Sequence, residues 1–135
     1  MTSFRDQLHP GWRDLLKGSL DLLDQIEAEL KADTFLPKHE DVMKSLSFDP
    51  TQAKVLILGQ DPYPSAIDAM GLAFSTARSD GKLPASLKNI YRELVDDLGI
   101  SQPTSGDLSS WSKQGVVLLN RTLTCAEGES NSHKD

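Results

Sequence analysis

The residues Gly-Gln-Asp-Pro-Tyr-Pro at positions 59–64 follow directly on the apolar run Val55–Leu58. This segment places the Asp61 carboxylate where a buried strand ends, and the neighbouring prolines restrict the backbone there. A carboxylate fixed in such a place can stabilise a developing positive charge or orient a water molecule, and both suit cleavage of a glycosidic bond. Taken alone, however, an aspartate in a loop more often caps a helix or closes an Asx turn.

A second polar group, Asn120, ends another apolar run, Val116–Leu119. Its carboxamide offers one acceptor and two donors in one plane, so it can pair with the N3 donor and the O4 acceptor of uracil. Cytosine presents the reverse pattern, and a mismatched polar group in a buried site is heavily penalised. The alternative is a strand-end asparagine that bonds its own backbone.

Three further positions could complete a site for a flipped base. Phe74 could stack on a base, although a lone phenylalanine is more often a core residue. Tyr63 could form a wall beside C5 of a pyrimidine, and its alternative role is simple packing. Pro84 and Ser86 precede or begin a predicted helix, where a hydroxyl and free amides can hold a phosphate or merely cap the helix.

The secondary-structure pattern predicts an α/β fold in which helices flank a parallel central sheet. The two apolar runs lack alternation, which is typical of strands that are buried on both faces. The carboxyl ends of such strands share one rim, so Gln60–Tyr63 and Asn120 are expected to lie close together. The predicted elements are helices within 15–30 with a break and N-cap at Gly18-Ser19, helices at 42–48, 86–98 (capped by Ser86) and around 108–111, and strands at 54–58 and 116–119.

Length and composition are those of one compact domain, residues 1–135. Apolar residues make up 38% and charged residues 25%, and no signal peptide or membrane-spanning run is present, so we expect no membrane association. The one cysteine, Cys125, fits a reducing cytoplasmic location. Neither Cys125 nor the histidines show metal-ligand spacing. The net charge of −6 argues against a nucleic-acid partner unless basic groups cluster locally.

Several segments, in order and properly spaced, resemble the family-1 uracil-DNA glycosylases. The water-activating motif of that family is similar to Gly59–Tyr63, followed by Gly71–Ser75 at the expected distance. Further similar segments are the phosphate-contacting loop at Pro84–Leu87, the uracil-recognition strand at Val117–Asn120 with Leu123-Thr124, and the flanking Trp111–Gly115 and Ser132-His133.

The resemblance implies a DNA-repair enzyme that extrudes uracil from DNA, cuts the N-glycosidic bond and leaves an abasic site. It implies no metal or organic cofactor, a substrate of single- or double-stranded uracil-containing DNA, and a monomer when the protein is complete. The implied roles are catalysis for Asp61, uracil binding for Gln60, Tyr63, Phe74 and Asn120, and phosphate binding for Ser86 and Pro84.

Three departures from the family pattern are present. Pro64 stands where many members carry histidine, and Ala85 stands where a proline is more common. The chain also ends before the family's later strands and its His-Pro-Ser loop. By the resemblance, the histidine of that loop stabilises the O2 anion of uracil, and its leucine wedges into the base stack. We therefore expect the amino-terminal part of a glycosylase, with a sheet that is incomplete at the C-terminal end and a second strand that lacks a neighbour. The alternative is an incomplete remnant or decoy that binds DNA or a glycosylase partner without cleavage.

Overall fold

The computed structural model describes residues 1–135 and contains five α-helices and one two-stranded sheet. The longest helix has 14 residues, and no helix combines the length and apolar composition needed to cross a bilayer. The elements are α1 (Phe4–Gln7), α2 (Pro10–Leu15), α3 (Leu20–Leu30), β1 (Val55–Gly59), α4 (Ala85–Leu98), α5 (Ser109–Lys113) and β2 (Val116–Asn120).

The two strands are parallel, and their register runs from the pair Val55–Val116 to the pair Gly59–Asn120. The connection between them contains α4 and α5, as a parallel pair requires a long crossover. The predicted α/β architecture with a parallel sheet and flanking helices is therefore confirmed.

Strand β2 is the centre of the core because its successive side chains enter two different apolar clusters. Leu118 packs in the cluster on one face of the sheet, and Val117 packs in the cluster on the other face. The buried partners of Leu118 are Met70, Leu72, Ala73, Leu87, Tyr91 and Leu108. Those of Val117 are Phe4, Leu8, Val42, Met43 and Leu46.

Strand β1 does not match the prediction of burial on both faces. Val55, Leu56 and Leu58 are 52%, 59% and 57% exposed, respectively. The physical reason is that the apolar clusters on the two faces of the sheet are centred on β2 and reach β1 only at Ile57, which packs against the cluster that contains Leu118. Each strand has a neighbour on one edge only, so the second strand does lack a further neighbour as expected, but the strand whose side chains are exposed is the first one.

The predicted helix over 42–48 is also wrong. Short 3₁₀ turns occupy His39–Asp41 and Lys44–Leu46 instead. The Ser47 hydroxyl donates to the carbonyl of Lys44 at 2.7 Å, and such a local bond competes with continuation of a helix.

Two helix starts need correction. Helix α4 begins at Ala85 with Pro84 in the capping position, so Ser86 lies inside the first turn and does not cap it. The predicted break at Gly18-Ser19 is confirmed as a 3₁₀ turn before α3, but the Ser19 side chain makes no capping hydrogen bond.

Candidate active site

The carboxyl ends of the two strands lie side by side, because the register places Gly59 opposite Asn120. Backbone pairing continues past these ends. The N–H of Arg121 donates to the carbonyl of Gly59 at 2.9 Å, and that of Thr122 donates to the carbonyl of Gln60 at 3.0 Å. The prediction that both polar segments meet at one rim of the sheet is confirmed.

The Asn120 side chain is buried and lies directly over Gly59. Asn120 is 9% exposed, and a Cβ atom added at Gly59 would lie 2.3 Å from its Oδ1 atom. The Asn120 carboxamide makes no hydrogen bond within the chain, and it lines a cavity. The alternative of an asparagine bonded to its own backbone is therefore wrong, and its donors and acceptor are free for a ligand.

The Asp61 carboxylate is half-buried and accepts two hydrogen bonds. Its Oδ1 atom accepts from the side-chain amide of Gln60 at 3.1 Å, and its Oδ2 atom accepts from the backbone N–H of Asn131 at 2.6 Å. Neither bond is the local backbone bond of a helix cap or an Asx turn. The carboxylate is instead held by a distant segment of the chain.

A hydrogen bond from side chain to backbone joins the two aromatic residues of the site. The Tyr63 hydroxyl donates to the backbone carbonyl of Phe74 at 2.8 Å. Phe74 has a φ of +66°, which is unusual for a bulky residue, and strained backbone of this kind is concentrated at functional sites. The neighbouring N–H of Ala73 donates to the carbonyl of Leu118 at 3.0 Å, which ties this loop to β2. Burial raises the pKa of Tyr63, so its hydroxyl remains a donor at neutral pH.

These side chains line one cavity of about 250 Å³, and six of the seven predicted site residues contribute to it. The six are Gln60, Asp61, Tyr63, Phe74, Ser86 and Asn120. The other lining residues are Pro62, Pro64, Ala69, Met70, Gly71, Leu72, Ser75 and Ser130. The fold thus collects residues from five separate segments into one pocket.

Pro84, the seventh predicted residue, lies outside this cavity in an adjacent polar groove of about 560 Å³. Lys82 and Lys88 line the same groove and form no ion pair, whereas Arg78 is held by two acidic side chains. Ser86 belongs to the cavity itself and lies two residues before Lys88 in α4. Local positive charge therefore exists beside the cavity of a chain whose net charge is −6.

The sequence reasoning missed two contributors to the site. Gly59 was read only as part of a motif, although its missing side chain makes the space that Asn120 fills. Asn131 was not considered, because it contributes a backbone N–H rather than a side chain. Its φ of +59° is one that asparagine tolerates, and that tolerance is the only signal the residue type offers.

A larger cavity, of about 600 Å³, lies beside α1 and α3, but it is a poorer candidate. Its polar groups already bind one another, as Arg5 binds Asp24 and the ring of His39 lies 2.9 Å from Glu27. No group of three or more histidine, cysteine, aspartate or glutamate side chains is arranged to hold a metal ion.

The sequence pattern of the uracil DNA glycosylase superfamily matches residues 46–135, which is two-thirds of the chain. The chain belongs to this superfamily. The matched part contains both strands and every residue that lines the 250 Å³ cavity.

Relatives within the superfamily are similar across almost the whole chain. A uracil-DNA glycosylase of Corynebacterium efficiens is 47% identical in an alignment of 133 residues that covers 94% of this chain and 56% of the relative. One of Parafrankia sp. is 41% identical, over 96% of this chain and 60% of the relative. The crystal structure of mimivirus uracil-DNA glycosylase superposes with a TM-score of 0.84 at 32% identity, over 96% of this chain and 52% of that chain. The chain therefore spans between about half and three-fifths of the length of these relatives.

Proposed function

We propose that this chain, within a protein of its relatives' length, hydrolyses the N-glycosidic bond of uracil in DNA as a step of base-excision repair. One observation carries the proposal. The free carboxamide of Asn120 and the fixed carboxylate of Asp61 line the same cavity, at the ends of adjacent strands in a member of this superfamily. An enzyme that releases one particular base requires two groups, one that recognises the base by hydrogen bonding and one that stabilises the charge developing on the sugar.

Uracil is selected by shape and by hydrogen bonding. Asn120 pairs with the N3 donor and the O4 acceptor of uracil, and cytosine leaves both bonds unmade. The ring of Tyr63, tied to the carbonyl of Phe74, stands beside C5 and excludes the methyl group of thymine. The ring of Phe74 stacks on the face of the base. Gln60 completes the pocket wall.

The Asp61 carboxylate acts on the sugar. As the bond between the base and the sugar carbon breaks, its electron pair leaves with uracil and positive charge develops on the sugar. A fixed negative charge nearby stabilises that charge and orients the water molecule that adds to the sugar carbon. The oxygen of that water bonds to the sugar carbon, and the proton that the water loses balances the negative charge on the departing base. The products are free uracil and an abasic site.

The DNA partner must offer an extruded nucleotide, because a base inside a duplex cannot reach this cavity. In this proposal a flanking phosphate binds to the Ser86 hydroxyl and to the free amides in the first turn of α4, and Pro84 shapes that turn. Lys82 and Lys88 supply positive charge along the adjacent groove. This arrangement is compatible with single-stranded and double-stranded substrates.

We further propose that residues 1–135 are the amino-terminal part of a single glycosylase domain. Both apolar clusters share β2, and the superfamily pattern runs to residue 135, which supports one continuous unit. The residues that line the cavity include no histidine to stabilise the charge on departing uracil. We expect that group, and the wedge that keeps the base extruded, to come from the part of the protein outside these residues.

A chimera tests this function. Residues 1–135 replace the matching segment of the Corynebacterium efficiens relative, and the product is incubated with an oligonucleotide that contains one uracil, then treated with alkali to cleave abasic sites. We expect cleavage at uracil and none in a matched oligonucleotide with thymine at that position. The isolated chain should release uracil at least about 10²–10³ times more slowly, because one preorganised donor to the leaving group is absent.

The proposed function would be refuted if the chimera folds but releases no uracil while the Corynebacterium efficiens relative is active in the same assay. Binding of the oligonucleotide without release would favour a binding module instead.

A further inference from the structure

The Asp61 carboxylate is held by a segment about seventy residues further along the chain. The backbone N–H of Asn131 donates to its Oδ2 atom at 2.6 Å, a short bond of the charge-assisted kind. Asn131 makes this bond with a φ of +59°, in the left-handed region of backbone conformation. The other oxygen, Oδ1, has only the exposed side chain of Gln60 as its partner within the chain.

The segment that contains Asn131, residues 125–132, is anchored independently of Asp61, and we call it the clamp turn. Cys125 is fully buried, and its Sγ atom lies 3.7 Å from the carbonyl oxygen of Pro62. The N–H of Gly128 donates to the carbonyl of Pro64 at 2.7 Å. The clamp turn therefore contacts the backbone on the carboxyl side of Asp61 at two further points.

The clamp turn is also closed on itself. Ala126 and Glu129 form an isolated backbone bridge, and the hydroxyl of Ser132 accepts from the N–H of Ala126 at 2.8 Å. At its start, Cys125 exchanges two backbone hydrogen bonds with Leu36, at 2.8 and 3.0 Å. Because these bonds hold the clamp turn in place, the N–H of Asn131 has little freedom to move with the Asp61 carboxylate.

We propose that Asn131 is a positioning residue for Asp61, an inference that rests on the proposed function. Its backbone N–H fixes the orientation of the carboxylate through Oδ2 and leaves Oδ1 directed to the cavity for the sugar and the attacking water. Catalysis by a fixed charge depends on that charge being oriented before the reaction begins. The side chain of Asn131 matters because its residue type permits the left-handed backbone, and not because it touches the substrate.

Three variants in the chimera separate positioning from stability. Asn131→Val introduces a β-branched residue that resists a positive φ and moves the N–H. Asn131→Gly keeps both the N–H and the positive φ. Glu127→Val introduces the same side chain at an exposed place in the clamp turn, without touching the contact to Asp61.

We expect Asn131→Val to lower kcat about 10- to 100-fold with KM changed less than about twofold, because a misplaced group affects the chemical step. Asn131→Gly should keep kcat at least about tenfold above that of Asn131→Val, and Glu127→Val should match the parent chimera. Circular dichroism and thermal unfolding verify that each variant is folded. A folded Asn131→Val with the kcat of the parent would overturn the inference, and so would an equal loss in Glu127→Val.

The hydrogen bond itself is measured without any activity. In the isotope-labelled chain, the amide proton of Asn131 should resonate far downfield, and Asp61→Asn should shift it upfield, because the acceptor loses its charge. If Asp61→Asn leaves the chemical shift of the Asn131 amide proton unchanged, the hydrogen bond between Asn131 and Asp61 is refuted. If instead the contact is observed but the parent chimera releases no uracil, the proposed function fails and the contact stands.

Discussion

Replacing Gly59 with alanine is expected to impair the recognition of uracil by Asn120 in a protein that still folds. The new methyl group would lie 2.3 Å from Oδ1 of Asn120 and 3.0 Å from Cβ of Ala73. Real carbon–oxygen contacts at such a distance do not occur, so the carboxamide must rotate away. Because it is the end of a flexible side chain, it can move at modest cost, and overpacking of this kind destabilises a fold by about 1–3 kcal/mol at most.

The functional cost follows from the two hydrogen bonds that Asn120 would make with uracil. Each is worth about 0.5–1.5 kcal/mol, so the loss of both weakens transition-state binding by about 1–3 kcal/mol. Since 1.36 kcal/mol corresponds to a factor of ten in rate, kcat/KM for uracil release should fall about 5- to 150-fold.

The assay is uracil release by the chimera that contains residues 1–135, together with thermal unfolding of the same protein. Gly18→Ala is the matched control, because a Cβ atom at Gly18 meets nothing within 4 Å. We expect the Gly18→Ala variant to have the kcat/KM of the parent. If Gly59→Ala also keeps that value, the carboxamide of Asn120 either tolerates the methyl group or does not read uracil, and the reasoning is refuted.

Four further predictions use the same chimera or the isolated chain. Asp61→Asn should lower kcat by orders of magnitude with an unchanged melting temperature, because a preorganised charge is worth several kcal/mol; equal rates would remove Asp61 from the mechanism. Tyr63→Ala should release thymine from DNA, because space opens beside C5, and continued rejection of thymine with active uracil release would contradict the wall assignment. Leu56→Lys should reduce self-association of the isolated chain in size-exclusion chromatography, because Leu56 is 59% exposed on a strand with an open edge. Unchanged self-association would show that the chains associate through another surface. Burial, with the charge of Asp61, raises the pKa of Cys125 from 9.0 to about 11, so its thiol stabilises the fold below pH 9 and loses that contribution as the pH rises to 11. The unfolding free energy of Cys125→Ala should therefore fall less steeply over pH 9–11 than that of the parent. If the two free energies fall equally steeply, titration of the Cys125 thiol is not the cause of the decrease.

Much of the organisation of the site could be read from local patterns. The apolar runs before Gly59 and Asn120 predicted two strands, and the rule that parallel strands end on one rim predicted that Asp61 and Asn120 meet. These predictions succeeded because strand formation and the placement of strand-end residues depend on short-range periodicity. The motif spacing also indicated the superfamily to which the chain belongs.

The burial of the strands could not be read in the same way. Both runs are apolar at every position, yet β2 is covered on both faces while Leu56 and Leu58 of β1 are exposed. Apolar composition indicates which side chains a strand could bury, whereas the elements that pack against the strand determine which side chains are buried. The helix predicted over 42–48 failed for a related reason, since a local bond from Ser47 competes with the helical pattern.

The sequence by itself determined which groups stand at the rim of the sheet, because residue identity and strand periodicity are local properties. Only the tertiary structure decided how those groups are held. Asp61 is oriented by a backbone N–H of Asn131, and Asn120 lies in the space left by Gly59 of the neighbouring strand. Such contacts join residues far apart in the chain and involve backbone atoms or a missing side chain, which no side-chain pattern records. They form only when the register of the sheet and the packing of the loops have brought the segments together.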